Sequence, residues 1–361
     1  MGGSLFGRQL QLMTFGESHG PAMGGVLDGI PAGIPVDFEL LRREMIRRKP
    51  GEKSFESGRR EHDDVEILSG VLEGITLGTP VAFIIRNEDH KPSDYHDLKR
   101  VYRPGHADYT WDRKFGFRDY RGGGRASARE TTARVVAGAF AKMVLLKYDA
   151  LVYGFTNQIG TAAMEDDYNF QVHKIEASAL RCPDKIVEKE MQAVIDQAVK
   201  EGDSVGGMVT CVVKNFPAGV GEPVFQKLES VVAQAVMSIP AVKGFEIGRG
   251  FQVATMKGSE NNDPYINEDG KIRPASNNAG GVIGGISSGE DIVIRAAIKP
   301  VSSISQQQTT VDADGFPVKL NVEGRHDACV VPRAVTIIES MVSLALADLI
   351  LQQEINKRFQ E

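Results

Sequence analysis

The chain has 361 residues, 42% of them hydrophobic and 25% charged, and a net charge of −6. Such a length allows a large core, and the composition is ordinary for a globular protein, which excludes extensive disorder away from the ends. The acidic total also excludes a general nucleic-acid binder, which would carry an excess of Lys and Arg. Residues 11–15 read as a strand running into Gly16-Glu17-Ser18-His19-Gly20, and residues 24–34 as strand followed by turn. Asp37 is an N-cap for a helix that puts Phe38, Leu41 and Met45 on one face and Arg47 and Arg48 in its last turn. Pro50-Gly51 ends it. Alternating apolar residues over 65–85, broken by Gly70, Gly74 and Gly78, predict short antiparallel strands. The polar stretch 87–99, with Pro92, reads as a surface loop and a candidate lid, its His90 and His96 as solvated.

The most informative segment is Arg121-Gly122-Gly123-Gly124-Arg125-Ala126-Ser127-Ala128-Arg129-Glu130. Its glycines open backbone conformations closed to other residues and leave amides bare for a ligand. Ser127 and Glu130 have the spacing of a capping box, and a helix entrance attracts phosphate. The helix that follows carries Ala133, Ala137, Phe140 and Val144 as an apolar stripe. A helix over 185–200 places Val187, Met191, Val194 and Ala198 on one side, and Gly202 stops it. A strand over 207–213, a helix over 223–237, strands over 245–254 and 291–298 and a polar loop over 257–278 follow. The last helix opens near Pro332, buries Ile338, Met341, Ala345 and Leu349 and runs towards Gln353. Hairpin-like strand pairs alternate with long helices, and no Gly-x-Gly-x-x-Gly joins a first strand to a first helix. The pattern therefore favours one α+β domain, a sandwich of antiparallel sheets and long helices, over a Rossmann unit.

Cations concentrate in two islands: eight against three acids over 42–60, and ten against five over 97–134. Arginines converging on one cleft repel by several kcal/mol unless an anion sits among them, which suits a small polyanionic ligand. Cys182, Cys211 and Cys329 are odd in number and widely spaced. They read as buried small hydrophobes of a protein in a reducing cytoplasm, not as a disulfide framework or zinc site. No apolar run approaches a membrane span, and the start has no secretory pattern, so a membrane partner is not expected.

His19, between Ser18 and Gly20, and His106, in Arg103-Pro104-Gly105-His106-Ala107-Asp108, lie on turns beside these loops. An imidazole next to a dianion is drawn to its protonated form and can hand a proton to a departing phosphate. Gly324-Arg325-His326-Asp327-Ala328-Cys329 precedes the last helix; Arg325 with Asp327 is as readily a structural ion pair, and no third ligand accompanies His326 and Asp327, so no metal is expected. Two turns flank the strand between Gly284-Gly285-Ile286-Ser287-Ser288 and Lys299-Pro300-Val301-Ser302-Ser303; their small and hydroxylated residues fit either a ligand lining or plain turns.

Taken together, Phe15-Gly16-Glu17-Ser18-His19-Gly20, Arg103 to Asp108, Gly124 to Glu130, Met237-Ser238-Ile239-Pro240-Ala241-Val242-Lys243-Gly244 and Gly324 to Asp327 closely resemble the chorismate synthase family, in order and across essentially the whole chain. The resemblance implies an anti-1,4-elimination of phosphate from 5-enolpyruvylshikimate 3-phosphate, giving chorismate, with reduced FMN required although no net redox change occurs. Under it, His19 stands beside the leaving phosphate and His106 protonates the reduced flavin. Asp327 assists flavin N5, and Ser18 and Ser127 support these relays. Arg48, Arg103, Arg129 and Arg325 would clamp the substrate. FMN would be held by Arg125, Ala126, Ser127, Pro240, Ala241, Gly284, Lys299, Pro300, Val301, Ser302, Ser303 and Arg325. The family also implies a homotetramer and an external flavin reductant. Many relatives carry an arginine where Ser54 stands here; Lys53 offers a point charge in place of a bidentate fork, which weakens the case for an NADP site. A flavin oxidoreductase of other chemistry and a non-catalytic anion-binding protein are the alternatives, and neither has a use for both His19 and His106.

Overall fold

The structure is a computed structural model that describes residues 3–50, 61–88, 98–165, 167–321 and 327–357. Strands β1 (Leu5–Phe6), β2 (Gln11–Phe15) and β3 (Ala22–Asp28) form an antiparallel meander. After helix α1 (Phe38–Arg48) come β4 (Val65–Ile67), a small hairpin of β5 (Val71–Leu72) and β6 (Ile75–Thr76), and β7 (Val81–Arg86). The first sheet has the order β1-β2-β3-β7-β4.

The second sheet draws on β8 (Leu151–Ile159), β9 (Ala162–Ala163), β10 (Gly207–Lys214) and β11 (Val242–Ile247). Two small hairpins follow, β12 (Tyr265–Glu268) with β13 (Lys271–Pro274) and β14 (Val282–Ile283) with β15 (Ile286–Ser287), before the central strand β16 (Ile292–Ile298). Its order is β11-β16-β10-β8-β9, and the pairings in both sheets are antiparallel. The remaining helices are α2 (Asp108–Phe115), α3 (Thr131–Leu145), α4 (Val172–Glu176), α5 (Lys185–Glu201), α6 (Leu228–Met237), the single turn α7 (Gly258–Asn261) and α8 (Val331–Lys357).

Helices α3 and α8 pack on each other between the sheets. α3 faces β2, β3 and β7, α8 faces β8 and β10, and α1 and α6 complete the layer. A helix in that position needs apolar residues all round. In α3, Val135, Val136, Phe140 and Leu145 are all fully buried. The α3–α8 crossing is close because Gly138 has no side chain: a Cβ there would stand 2.3 Å from Ser340 Cβ. The expectation that no apolar run reaches membrane length is corrected by α8, whose 18-residue window has a mean hydropathy of 2.0. It is a core helix, with 94% of that window buried in the protein.

This layer also encloses charge. Glu339 on α8 accepts from Arg47 Nη1 at 2.6 Å, Lys142 Nζ at 2.7 Å and the Gly154 amide at 2.8 Å, while Glu44 accepts from Arg47 Nη1 and Lys142, each at 2.9 Å. Burial alone would raise the Glu339 pKa; the nearby Arg47 and Lys142 outweigh it and hold the carboxyl well below the usual range. Arg47, one of the cations of the 42–60 island, is thus nearly buried and committed to this internal network.

Several local expectations hold. Asp37 caps α1 by accepting from the Leu40 amide at 2.8 Å, and Gly202 ends α5 in the left-handed region at φ 65°. The three cysteines are free and buried, and burial pushes the Cys182 thiol up to about 11 and the Cys329 thiol up to about 12.

Others are corrected. Phe38 is 51% exposed, and Leu40 joins Leu41 and Met45 on the buried face. α6 starts at Leu228 because residues 222–226 close a bridged turn between Glu222 and Gln226. β11 stops at Ile247, since Gly248 and Gly250 take positive φ and turn the chain into a 3-10 helix. The polar stretch 257–278 contains the β12–β13 hairpin, turned by Asp269-Gly270 at φ 51° and 83°, a dipeptide suited to two-residue loops. Residues 89–97, with most of the candidate lid, and Gly51, Lys53, Ser54, Gly324, Arg325 and His326 lie outside the described residues.

Candidate active site

The turn between β2 and β3, which carries His19, and the turn before α2, which carries His106, meet the glycine run. Gly122, at φ +64°, packs so closely on His19 that a Cβ would stand 2.1 Å from His19 Cε1. Its neighbour Gly123, at φ +110°, does the same to His106, with 3.0 Å to Cε1 and 3.1 Å to Nε2. Only glycine tolerates both the left-handed backbone and the approach. The triplet therefore seats two imidazoles on consecutive residues, a purpose that sequence reading did not find in it. His19 is 7% exposed, and its Nδ1 lies 3.0 Å from the hydroxyl of buried Ser18.

His106 is held from the other side. Its Nδ1 lies 2.9 Å from Asp108 Oδ1, and Arg103 forks onto the same carboxylate through Nε at 2.8 Å and Nη2 at 2.9 Å. Burial would raise the Asp108 pKa, but the hydrogen bonds from Arg103 and His106 prevail and keep the carboxyl well below its ordinary value. Arg118 Nη1 adds a cation at 3.2 Å.

Arg48 and Arg129 converge beneath the loop on buried Asp63. Arg129 bonds it directly and donates through Nε to Asn87 Oδ1 at 2.9 Å; Arg48 Nη2 donates to the Ala128 carbonyl at 2.7 Å. Asn87 in turn donates to the carbonyls of Glu17 at 3.0 Å and Gly20 at 2.8 Å, so one amide ties the His19 turn to Arg129. The sequence reading placed Asn87 in a surface loop; it is 7% exposed. Its only sequence signal was a polar residue directly after the apolar strand β7.

These partners correct the electrostatic argument. Arg103 and Arg121 are paired with Asp108 and Asp119, and Arg48 and Arg129 share Asp63, with Glu61 3.7 Å from Arg129, so much of this positive charge is met from within the protein. Arg125 differs: its partners are the Gly16 and Thr14 carbonyls and the Ser4 and Thr14 hydroxyls. The capping box is also half made. Ser127 Oγ accepts from the Arg129 amide at 3.3 Å, but Glu130 turns to Arg134 Nε at 2.7 Å, and a 3-10 turn separates Ser127 from α3.

Arg125 and Ala126 line a pocket of about 220 Å³ together with His106, Gly123, Gly124, Glu17, Asp119 and the aromatic rings of Trp111, Phe115 and Phe117. From there a strip of other candidates is contiguous. Ser302 Oγ donates to the Gly105 carbonyl at 2.8 Å, Lys299 Nζ donates to Ser302 Oγ at 2.7 Å, and the Lys299 amide donates to the Ala241 carbonyl at 2.9 Å. Arg134 Nη1 reaches Ser238 at 2.6 Å, which brings the segment with Pro240 and Ala241 beside the start of α3. Asp327 joins this edge: the neighbouring Ala328 carbonyl accepts from Val205, and Ser204 bonds the Val301 carbonyl. Asp327 is paired with Arg333 of α8 at 2.8 Å. Gly284 sits in the β14–β15 turn, where the Gly285 carbonyl accepts from the Leu228 amide at the start of α6, whereas Pro240 follows the other end of that helix, about 15 Å along it.

A buried imidazole beside a hydroxyl, a second imidazole fixed by an ionised carboxylate, and a guanidinium that makes no salt bridge among the described residues, at an aromatic-walled pocket, can bind an anion and move protons around a flat ring.

Comparison with known proteins points the same way. The family model described as chorismate synthase matches residues 10–351. A chorismate synthase of Archaeoglobus fulgidus is 56% identical over 350 residues, covering 96% of this chain and 97% of that one. One from Parabacteroides distasonis is 48% identical over 355 residues, covering 98% and 99%. A crystal structure of a chorismate synthase superposes with a TM-score of 0.76 at 33% identity, covering 98% and 97%.

Proposed function

Because the chain belongs to the chorismate synthase family, and so to lyases acting on phosphate, we propose that it converts 5-enolpyruvylshikimate 3-phosphate to chorismate with reduced FMN bound. The observation that carries this reading is the seating of His19 and His106 on consecutive glycines of one turn, beside Arg125. An oxidoreductase of other chemistry would need a hydride path, and neither it nor an anion-binding protein has a use for both imidazoles.

In the reaction the C3–O bond to phosphate breaks and a proton leaves C6; the C–H electron pair becomes one new double bond as the ring alkene shifts, so atoms and electrons balance without net oxidation. FMN, when bound in its reduced form, would supply transient electron density and a basic atom near C6. The chain's residues fit such a group: an aromatic-walled pocket, glycines with no side chain to obstruct it and Arg125 for a phosphate tail. His19, next to Ser18, serves the leaving phosphate as proton donor. His106 would exchange a proton with the bound ring, and Asp327 would assist its basic atom. Ser127 orders the turn into α3, and Arg48, Arg103 and Arg129, held by Asp63 and Asp108, brace the floor of the site.

Anaerobic assay of phosphate release decides the point. Release is expected with pre-reduced FMN and substrate, and none with oxidised FMN, even with NADPH present. Equal release with either flavin form would remove the flavin role, release with oxidised FMN and NADPH would give the chain its own reductase activity, and no release at all would overturn the reading. The proposed assembly is a homotetramer, for which light scattering should report four times 39.3 kDa; a stable monomer of full activity would refute it.

A further inference from the structure

We propose that Asp108 is a positioning residue for His106, fixing which ring nitrogen carries the proton and aiming the other at the Gly123 turn. The inference rests on the reading of His106 as a proton carrier at the bound ring. Asp108 is 2% exposed and opens α2, yet its carboxylate is spent almost wholly on groups outside that helix. Oδ1 meets His106 Nδ1 at 2.9 Å, Arg103 Nη2 at 2.9 Å and Arg118 Nη1 at 3.2 Å; Oδ2 takes Arg103 Nε at 2.8 Å and the Arg103 amide at 3.1 Å.

An ionised carboxylate only accepts, so the His106 nitrogen facing it must be the one bearing hydrogen. Arg103 Nη2 lies 3.1 Å from the same nitrogen and is a donor too; both point to the shared Oδ1, which is what lets them sit together. The consequence is a single tautomer. Nδ1–H is locked on Asp108, and Nε2 is left to the side where Gly123 makes room, 3.1 Å from the site of its missing Cβ. The same pocket presents Glu17, Asp119 and Arg125 to this ring, and Lys299 reaches the Gly105 carbonyl next to it. Among the described residues, the charged groups within hydrogen-bond distance of the ring nitrogens are Asp108 and Arg103, not these.

Asp108 also anchors Arg103 and Arg118, so loss of activity in a variant would not by itself separate positioning from scaffolding. Two measurements do. In the ligand-free protein, ¹⁵N spectra of the imidazoles should show His106 as the Nδ1–H tautomer, and Asp108→Asn should replace it with a mixture. In the phosphate-release assay, Asp108→Asn should lower kcat at least about tenfold with KM within about threefold, whereas the same change in a His106→Ala background should lower kcat less than about twofold.

Equal losses in both backgrounds, or an unchanged tautomer in Asp108→Asn, would overturn the proposal and leave Asp108 as an arginine anchor. Should Asp108→Asn not fold, the wild-type spectrum still decides, since an Nε2–H tautomer there refutes the assignment. If the protein forms no chorismate, the broader reading fails while the tautomer measurement stands as an independent test.

Discussion

Gly122→Ala should lower kcat for phosphate release by about 10²-fold, the scale on which a displacement of roughly 1 Å in a reacting group is felt. The new Cβ would stand 2.1 Å from Cε1 and 2.4 Å from Nδ1 of His19. One of the two must move. The ring has little freedom to do so, being 7% exposed, bonded at Nδ1 to Ser18 and carried on a turn that Asn87 clamps from behind. The backbone adds its own strain, because alanine at φ +64° costs about 1–2 kcal/mol whatever surrounds it. Gly270→Ala separates the two effects. That glycine, in the β12–β13 hairpin turn, has φ +83° and nothing within 4 Å of its missing Cβ, so it suffers the backbone strain without touching a functional group. Gly270→Ala should therefore lose stability but keep kcat within about twofold, while Gly122→Ala loses kcat. If the two variants retain equal activity, contact with the glycine turn is not what places His19.

Glu339→Gln is expected to have the largest effect on stability, about 3–5 kcal/mol, the range for removing one member of a buried ion pair. The amide would keep the shape but leave Arg47 and Lys142 short of a counter-charge in a layer where Glu339 is 1% exposed. Glu44 and Glu176 compensate in part, through contacts to Arg47 at 2.9 and 2.8 Å. Urea unfolding at fixed protein concentration measures the difference. The pH dependence has a definite sign. The folded-state pKa of Glu339 lies below its unfolded value, so its contribution is complete above the unfolded pKa of roughly 4.3 and is lost as pH falls below it. The gap between wild type and Glu339→Gln should thus be widest near neutrality and narrow on acidification. A gap that is constant from pH 7 to pH 3 would mean that Glu339 is not ionised in the core.

Much of the architecture was legible because it is local. Asp37 as a cap, Gly202 as a stop, and the apolar runs of α3 and α8 each act within a few residues of themselves, and periodicity reports them faithfully. Where local reading failed, a turn was usually at fault. The Asp269-Gly270 hairpin was hidden in a polar stretch, and Gly248 and Gly250 turned an expected strand into a 3-10 helix.

The candidate site divides along the same line. Residue types and loop chemistry identified His19, His106, Arg125 and the glycine run, since such a concentration of imidazoles, guanidiniums and bare backbone has few structural uses. Partners were another matter. That Arg129 binds Asp63 across 66 positions, that Arg47 meets Glu339 across 292, and that Asn87 holds the turn of His19 from 70 residues away are facts of packing between sheets and helices. By itself the chain determined its elements, its α+β class and a set of charged and ring-bearing side chains suited to an anion. Only the tertiary structure decided which arginines are neutralised from within and which imidazole meets which glycine. Long-range pairing depends on where whole layers come to rest, and no short window of residues contains that information.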